Sequence, residues 1–244
     1  MKRLVLLGEG QGEEAALPVL VRKLIEERNC GDRLFVDKEV IRDSNPVKWN
    51  KAESKPDFTK WVSRVKIASR RDNLGGVLAV YDGDAPSFPA GPGIRFCAAN
   101  AAKQMACAAA QAGAGKVFSL VVVFACVEYE SWIIAGIESL AGKRYSDGRP
   151  AVPSDLKFPP GDCEAHGKKW LEKHCPGYRP TLGQGELTEL LDLNVVRKRR
   201  LRSFQRLEHA VGQLLDAAVC GTHIVHRFRR SFLKCLFVPV FSGL

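Results

Sequence analysis

Three acidic groups carry the chemistry this sequence can offer: Gly8-Glu9-Gly10, Asp82-Gly83-Asp84 and Glu128-Tyr129-Glu130. Each follows an apolar run, "LVLL" from residue 4, "GGVLAVY" from 75 and "VFSLVVVFACV" from 117. Such runs suit strands buried on both faces of a parallel sheet, where ligands sit just beyond the strands' carboxyl ends. Carboxylates gathered at one sheet edge repel one another unless a cation neutralises them. Hard oxygen donors with open positions suit Mg2+ or Mn2+, which keep waters and bind substrate phosphates. The glycines at 8, 10 and 12 suggest a phosphate-cradling turn, yet Glu9, Glu13 and Glu14 follow with no lysine until Lys23. A metal bridging protein and phosphate would reconcile the two.

Each group also has an ordinary explanation. Glu9, Glu13 and Glu14 are acids of the kind a helix N-terminus favours. Asp82-Gly83-Asp84 has the composition of a turn, and Glu130 suits the solvated start of a helix. Their coincidence at successive strand ends is what favours a metal site.

Those ends need an alternating α/β frame to position them. The patterns predict strands at 3–8, 33–41, 75–82 and 117–126, and helices at 12–28, 57–71 and 94–112. A polar loop fills 44–56, and Pro and Gly exclude regular structure from 82–93. The expected fold is α/β, a Rossmann-like central parallel sheet of about four strands flanked by helices. After Glu128 the pattern turns helical, through "ESWIIAGIESLAG", a loop at 148–161, and helices near 164–174 and 203–219. We expect a metal-binding α/β core over 1–142 and a helical, basic C-terminal extension over 143–244 packed on the same domain. Residues 220–244 suggest no role.

A chain of 244 residues with 45% hydrophobic content can bury a sizeable core and is not composed like a disordered segment. Its longest apolar run is too short to cross a bilayer as a helix, so no membrane partner is expected. The start "MKRLVLLGEG" lacks a small-residue cleavage site, and the eight cysteines are scattered without a Cys-x-x-Cys pair. Both features point to free thiols in a reducing cytoplasm. Cys163, His166, His174 and Cys175 are near neighbours, but their spacing matches no usual zinc pattern. The net charge of +10 is concentrated in "VVRKRRLRSFQR" (195–206) and "HRFRRSFLK" (226–234). Such runs are often solvated faces. If they bind, nucleic acid is the expected partner, because neutralised phosphates release counterions.

The order of "LLGEGQGEEAAL", "AVYDGDA" and "VEYESWIIAG" resembles the TOPRIM-like metal site of the family catalogued as domain of unknown function 4276, related to OLD-type nucleases. The resemblance spans roughly residues 3–215. It matches Glu9, Gly10 and Glu13 to a Glu-Gly-x-x-Glu motif, Asp82 and Asp84 to an Asp-x-Asp, and Glu130 and Trp132 to a Glu-x-Trp. It continues more weakly through "DCEAHGKKWLEK", where Lys168 falls at a position often basic in the family, and through "RSFQRL", with Ser203 and Phe204. One position departs: Gly136 stands where many relatives carry an aspartate, which bears on a second metal ion.

The resemblance implies a nuclease hydrolysing phosphodiester bonds, most simply in DNA. Asp82 and Asp84 would hold Mg2+ or Mn2+, and Glu9 would ligate metal or act as general acid/base. Glu13 and Glu130 would complete a second ion's shell, and Lys168 would offset charge developing on the phosphate. Arg197, Lys198, Arg199, Arg200, Arg202 and Arg206 would grip the nucleic-acid backbone. The resemblance further implies a possible partner ATPase and a role in phage defence. Two rivals stand beside it. A non-catalytic TOPRIM-like subunit would bind DNA or an ATPase. A glycosyltransferase could use the Asp-x-Asp for a nucleotide-sugar diphosphate, but would not need Glu9 or Glu130. A dinucleotide fold is weaker, since "GEGQGEE" has Glu13 where the third glycine belongs.

Overall fold

The chain builds its centre from period-two strands whose two faces are covered by different helices. The computed structural model describes residues 1–83, 93, 95–159 and 167–225. Strand β1 (Lys2–Gly8) leads into helix α1 (Gln11–Glu26), then β2 (Leu34–Arg42), a short hairpin β3 (Lys48–Asn50) and β4 (Lys55–Asp57), and α2 (Thr59–Ser69). Strand β5 (Leu74–Asp82), α3 (Ala98–Ala109) and β6 (Ser119–Ala125) complete the alternation. The principal sheet has four strands in the order β2-β1-β5-β6, every pair parallel, as the alternating pattern predicts.

Successive side chains on a strand point to opposite faces, and the burial follows that rule. Leu4, Leu6, Leu78, Val80, Val121 and Val123 face α1 and the C-terminal helices. Val5, Leu7, Val77, Ala79, Val122 and Phe124 face α2 and α3. The helical part comprises α4 (Glu130–Ala135), α5 (Ile137–Leu140), α6 (Gly167–His174), α7 (Pro180–Leu190), α8 (Leu193–Lys198) and α9 (Arg202–Cys220).

The details depart from the sequence reading in four places. The polar loop at 44–56 contains the β3–β4 hairpin, whose turn is held by Ala52 and Glu53 N–H groups donating to Asn50 Oδ1 at 3.0 and 3.3 Å. The alanine-rich helix begins at Ala98, later than expected, and ends in a 3-10 turn, Ala110–Ala112. "ESWIIAGIESLAG" is two helices divided at Gly136. Helices α7 and α8 have no counterpart in the sequence reading. Gly183 and Gly185 lower the helical signal of α7, but Gly185 serves packing: a Cβ there would lie 3.0 Å from Ala15 Cβ of α1.

At the far end, the Leu120 N–H donates to Ile224 O at 2.8 Å, and Val225 bridges Leu120 in parallel. The basic segment 226–234 lies outside the described residues. Among the described residues, no helix is long and apolar enough to cross a membrane.

Candidate functional site

Strand order reverses direction between β1 and β5, and in open α/β sheets that switch point opens a crevice beyond the carboxyl ends. Glu9 stands just past the end of β1, and Asp82 is the last residue of β5. The Asp82 N–H donates to Glu9 Oε2 at 3.3 Å. Asp82 Oδ1 accepts from the Tyr129 N–H at 2.9 Å, across the turn that follows β6. The Tyr129 hydroxyl lies 3.1 Å from Thr188 Oγ1, and Thr188 gives its own proton to Gln184 O at 2.7 Å. The phenol is therefore the donor, and it ties the turn to α7.

Glu13 belongs to the first turn of α1. Its Oε2 accepts from the Gly10 N–H at 2.9 Å, the reaching-back half of a capping box. The ordinary helix-start explanation thus holds for its geometry, while its charge still acts on Asp82. Glu14 is an exposed residue 3.9 Å from Arg42. Glu130 opens α4 and is fully buried. Its Oε1 accepts from the Tyr178 hydroxyl at 3.0 Å, and its Oε2 has no hydrogen-bond partner among the described residues. Glu128 Oε2 accepts from the Lys168 N–H at 2.8 Å, in the first turn of α6. Gly167 permits this approach, since a Cβ there would sit 3.1 Å from Glu130 Cβ.

The charges are coupled. Burial pushes the Asp82 carboxyl well above the usual range, and Glu13, Glu130 and Glu9 push it further against the pull of the Tyr129 N–H. Burial also raises Glu130, while the Lys168 ammonium draws it back. Burial alone would lower Lys168, but Glu130, Asp82, Glu128 and Glu13 together lift it above its ordinary value. Acidic groups from β5, α1 and the turn after β6 therefore share one field with Lys168.

The donor chemistry and the unpartnered Glu130 oxygen fit a hard divalent cation. The ligand set is incomplete among the described residues, where no three His, Cys, Asp or Glu side chains are grouped closely enough to hold one ion. Asp84 lies outside the described residues. Such an ion would draw its remaining ligands from water and phosphate oxygens, as Mg2+ commonly does.

The family described as "Domain of unknown function (DUF4276)" matches residues 8–212. The chain belongs to the DUF4276 family. The matched span starts one residue before Glu9 and ends inside α9, so it holds the whole acidic crevice. No curated protein and no solved structure matches the chain.

Within this DUF4276 chain, the crevice includes residues that the motifs did not single out. Asp43 follows β2 directly and is buried, so it is a fourth strand-end acid. Its N–H donates to Gly8 O at 2.9 Å, and its carboxylate meets the Tyr81 hydroxyl at 3.4 Å and Lys60 Nζ at 3.1 Å. Burial raises it despite Lys60, Arg64 and Tyr81. Its position after an alternating strand was the available signal. Tyr129 and Tyr178 had none, because their partners are distant in sequence.

Other candidates disperse. His174 stacks on Trp170 with ring centroids 4.4 Å apart, and burial pushes the Cys175 thiol up to about 12, far from a metal-binding thiolate. Cys163 and His166 lie outside the described residues. The basic run divides. Arg197 pairs with Glu27 and Glu208, and Arg199 pairs with Glu138 at 2.7 Å while stacking over Phe158. Lys198, Arg200, Arg202 and Arg206 are exposed. Arg202 and Arg206 line a cavity of about 400 Å³ with Gln205, His209, Ala98 and Val122.

Proposed function

We propose that this chain is a divalent-metal-dependent, TOPRIM-like nuclease related to OLD-type enzymes, hydrolysing phosphodiester bonds in DNA. The observation that carries the reading is Asp82 at the switch point of the sheet, bonded to Glu9 and under the field of Glu13, Glu130 and Lys168. Crowded acids with one adjacent lysine are an arrangement that a bound cation would relieve. Asp82 and Glu130 would be the described ligands of Mg2+ or Mn2+, with Asp84 assigned on the motif alone and water and phosphate oxygens completing the shell, and the ion would polarise the scissile phosphate. Glu13 holds the turn that carries Glu9 and adds negative field. Lys168 offers a fixed positive charge toward a phosphate oxygen. Glu9, next to the N–H of Asp82, is the candidate to move a proton. Lys198, Arg200, Arg202 and Arg206 are free to meet the DNA backbone.

Purified protein incubated with plasmid DNA and Mn2+, with and without chelator, tests this reading. Cleavage that requires metal and disappears in Asp82→Asn supports it. Metal-independent cleavage, or none with either Mn2+ or Mg2+, sinks it. A non-catalytic DNA-binding subunit is the second reading. The incomplete ligand set among the described residues favours it. DNA binding without cleavage under the same conditions would select it.

A further inference from the structure

Tyr178 lies between α6 and α7, far in sequence from every acidic motif, yet its hydroxyl donates to Glu130 Oε1 at 3.0 Å. The ring is held firmly. The Tyr178 N–H donates to Cys175 O at 3.0 Å, and Gly183 of α7 leaves room for the ring, since a Cβ there would stand 3.1 Å from Tyr178 Cδ2. Glu130 is fully buried, and its other oxygen, Oε2, has no hydrogen-bond partner among the described residues.

A carboxylate turns broadly about its last side-chain torsion. One hydrogen bond from a rigid donor fixes its plane and decides which oxygen stays available. The Lys168 ammonium offsets part of the charge on Glu130, but Oε2 still lacks a hydrogen bond among the described residues, and a buried oxygen left so costs stability. We infer that Tyr178 is a positioning residue that engages Glu130 Oε1 and reserves Oε2 for a divalent cation. This rests on the metal reading given above. It makes the helical C-terminal part a contributor to the site, because the residue that aims Glu130 comes from the lead-in to α7. Partners that orient metal ligands in this way commonly matter about 10–100-fold in metal affinity.

Calorimetric titration of the full chain with Mn2+ tests it, without reference to cleavage. Tyr178→Phe removes one oxygen and keeps the ring packed, and is expected to weaken Mn2+ binding about tenfold. Tyr145→Phe is the control: Tyr145 is also buried, and its hydroxyl has no hydrogen-bond partner among the described residues. Its affinity should equal that of the parent. In a Glu130→Gln background, Tyr178→Phe should weaken binding no further, because it acts through that carboxylate. Metal-free melting of each variant reports whether the fold is kept. Equal Mn2+ affinity in parent and Tyr178→Phe overturns the inference and leaves the metal reading standing. A tenfold loss that persists in the Glu130→Gln background also overturns it. A parent that does not bind Mn2+ removes the metal reading itself.

Discussion

Trp132 donates its indole N–H to Ser203 Oγ at 3.0 Å, with both side chains buried. The bond joins α4 to the first turn of α9. Tyr129 packs edge-on against Trp132 with centroids 5.2 Å apart, and Phe204 packs on it at 6.0 Å. A continuous aromatic row therefore runs from the residue that holds Asp82 to the helix that carries Arg202 and Arg206. Ser203→Ala leaves the indole N–H unpaired in the core and should lower stability by about 1–3 kcal/mol. Urea unfolding measures it, and an unchanged midpoint would remove the bond from any role in the fold.

Gly136 is a packing glycine. A Cβ at this position would meet Leu191 Cδ1 at 2.5 Å and Val196 Cγ2 at 2.8 Å. Apolar packing therefore gives this chain its own reason for a glycine here, separate from any role in a second metal site. Gly136→Asp should cost about 2–4 kcal/mol through overpacking and a carboxylate among apolar side chains. It should leave Mn2+ affinity no higher than the parent's. A stable variant with tighter metal binding would favour the motif-based view, in which an aspartate here serves a second ion.

Strands β1, β5 and β6 were legible because each is a short apolar run: 3–8 against Lys2–Gly8, and 117–126 against Ser119–Ala125. The acids at their ends were legible for the same reason. That Glu9 and Asp82 are neighbours follows from β1 lying beside β5, and local periodicity does not encode strand order. Helix α7 was hidden by its glycines, whose value lies in a contact with α1. Nothing near Arg197 in the sequence shows that Glu27 and Glu208 already engage it, so charge density overstated the free cations.

Asp82→Asn removes one charge from a crowded set. Its carboxyl is burdened first by burial and then by Glu13, Glu130 and Glu9. The amide can still accept from the Tyr129 N–H. Metal-free thermal stability should stay level or rise, while metal-dependent cleavage disappears. A fall of several degrees without metal would show Asp82 to be a structural residue instead.

Asp43 gives a pH test at a crevice acid that is not itself a proposed ligand. Burial raises its carboxyl above the unfolded value, outweighing Lys60, Arg64 and Tyr81. The folded chain then holds a proton that the unfolded chain has released, so stability is lost as pH rises from about 4 through the folded value. One proton gives a slope of at most about 1.4 kcal/mol per pH unit. Asp43→Asn removes this slope. Its stability relative to the parent should therefore improve as pH rises across that window, as urea unfolding at several pH values would report. A gap constant with pH would mean that Lys60 keeps Asp43 charged throughout.

The basic run makes two separable predictions. Lys198, Arg200, Arg202 and Arg206 are exposed, so alanine at all four should weaken DNA binding and flatten its salt dependence. For every phosphate no longer neutralised, the slope of log affinity against log salt should fall by about 0.9 on duplex DNA. Arg197 joins α8 to Glu27, just past the end of α1, and to Glu208 of α9, and Arg199, just past the end of α8, pairs with Glu138 of α5. Their side chains are 32% and 29% exposed, so solvent screens these pairs, and Arg197→Ala or Arg199→Ala should cost no more than about 1 kcal/mol each. DNA affinity and salt slope should hardly change in those two variants. Fluorescence anisotropy with a labelled duplex, read across a salt series, distinguishes the groups. If Arg197→Ala flattens the slope as much as Arg202→Ala does, the ion pairs open for DNA. If none of the six matters, the run is a solvated or protein-docking face, and the nuclease reading loses its means of holding a substrate.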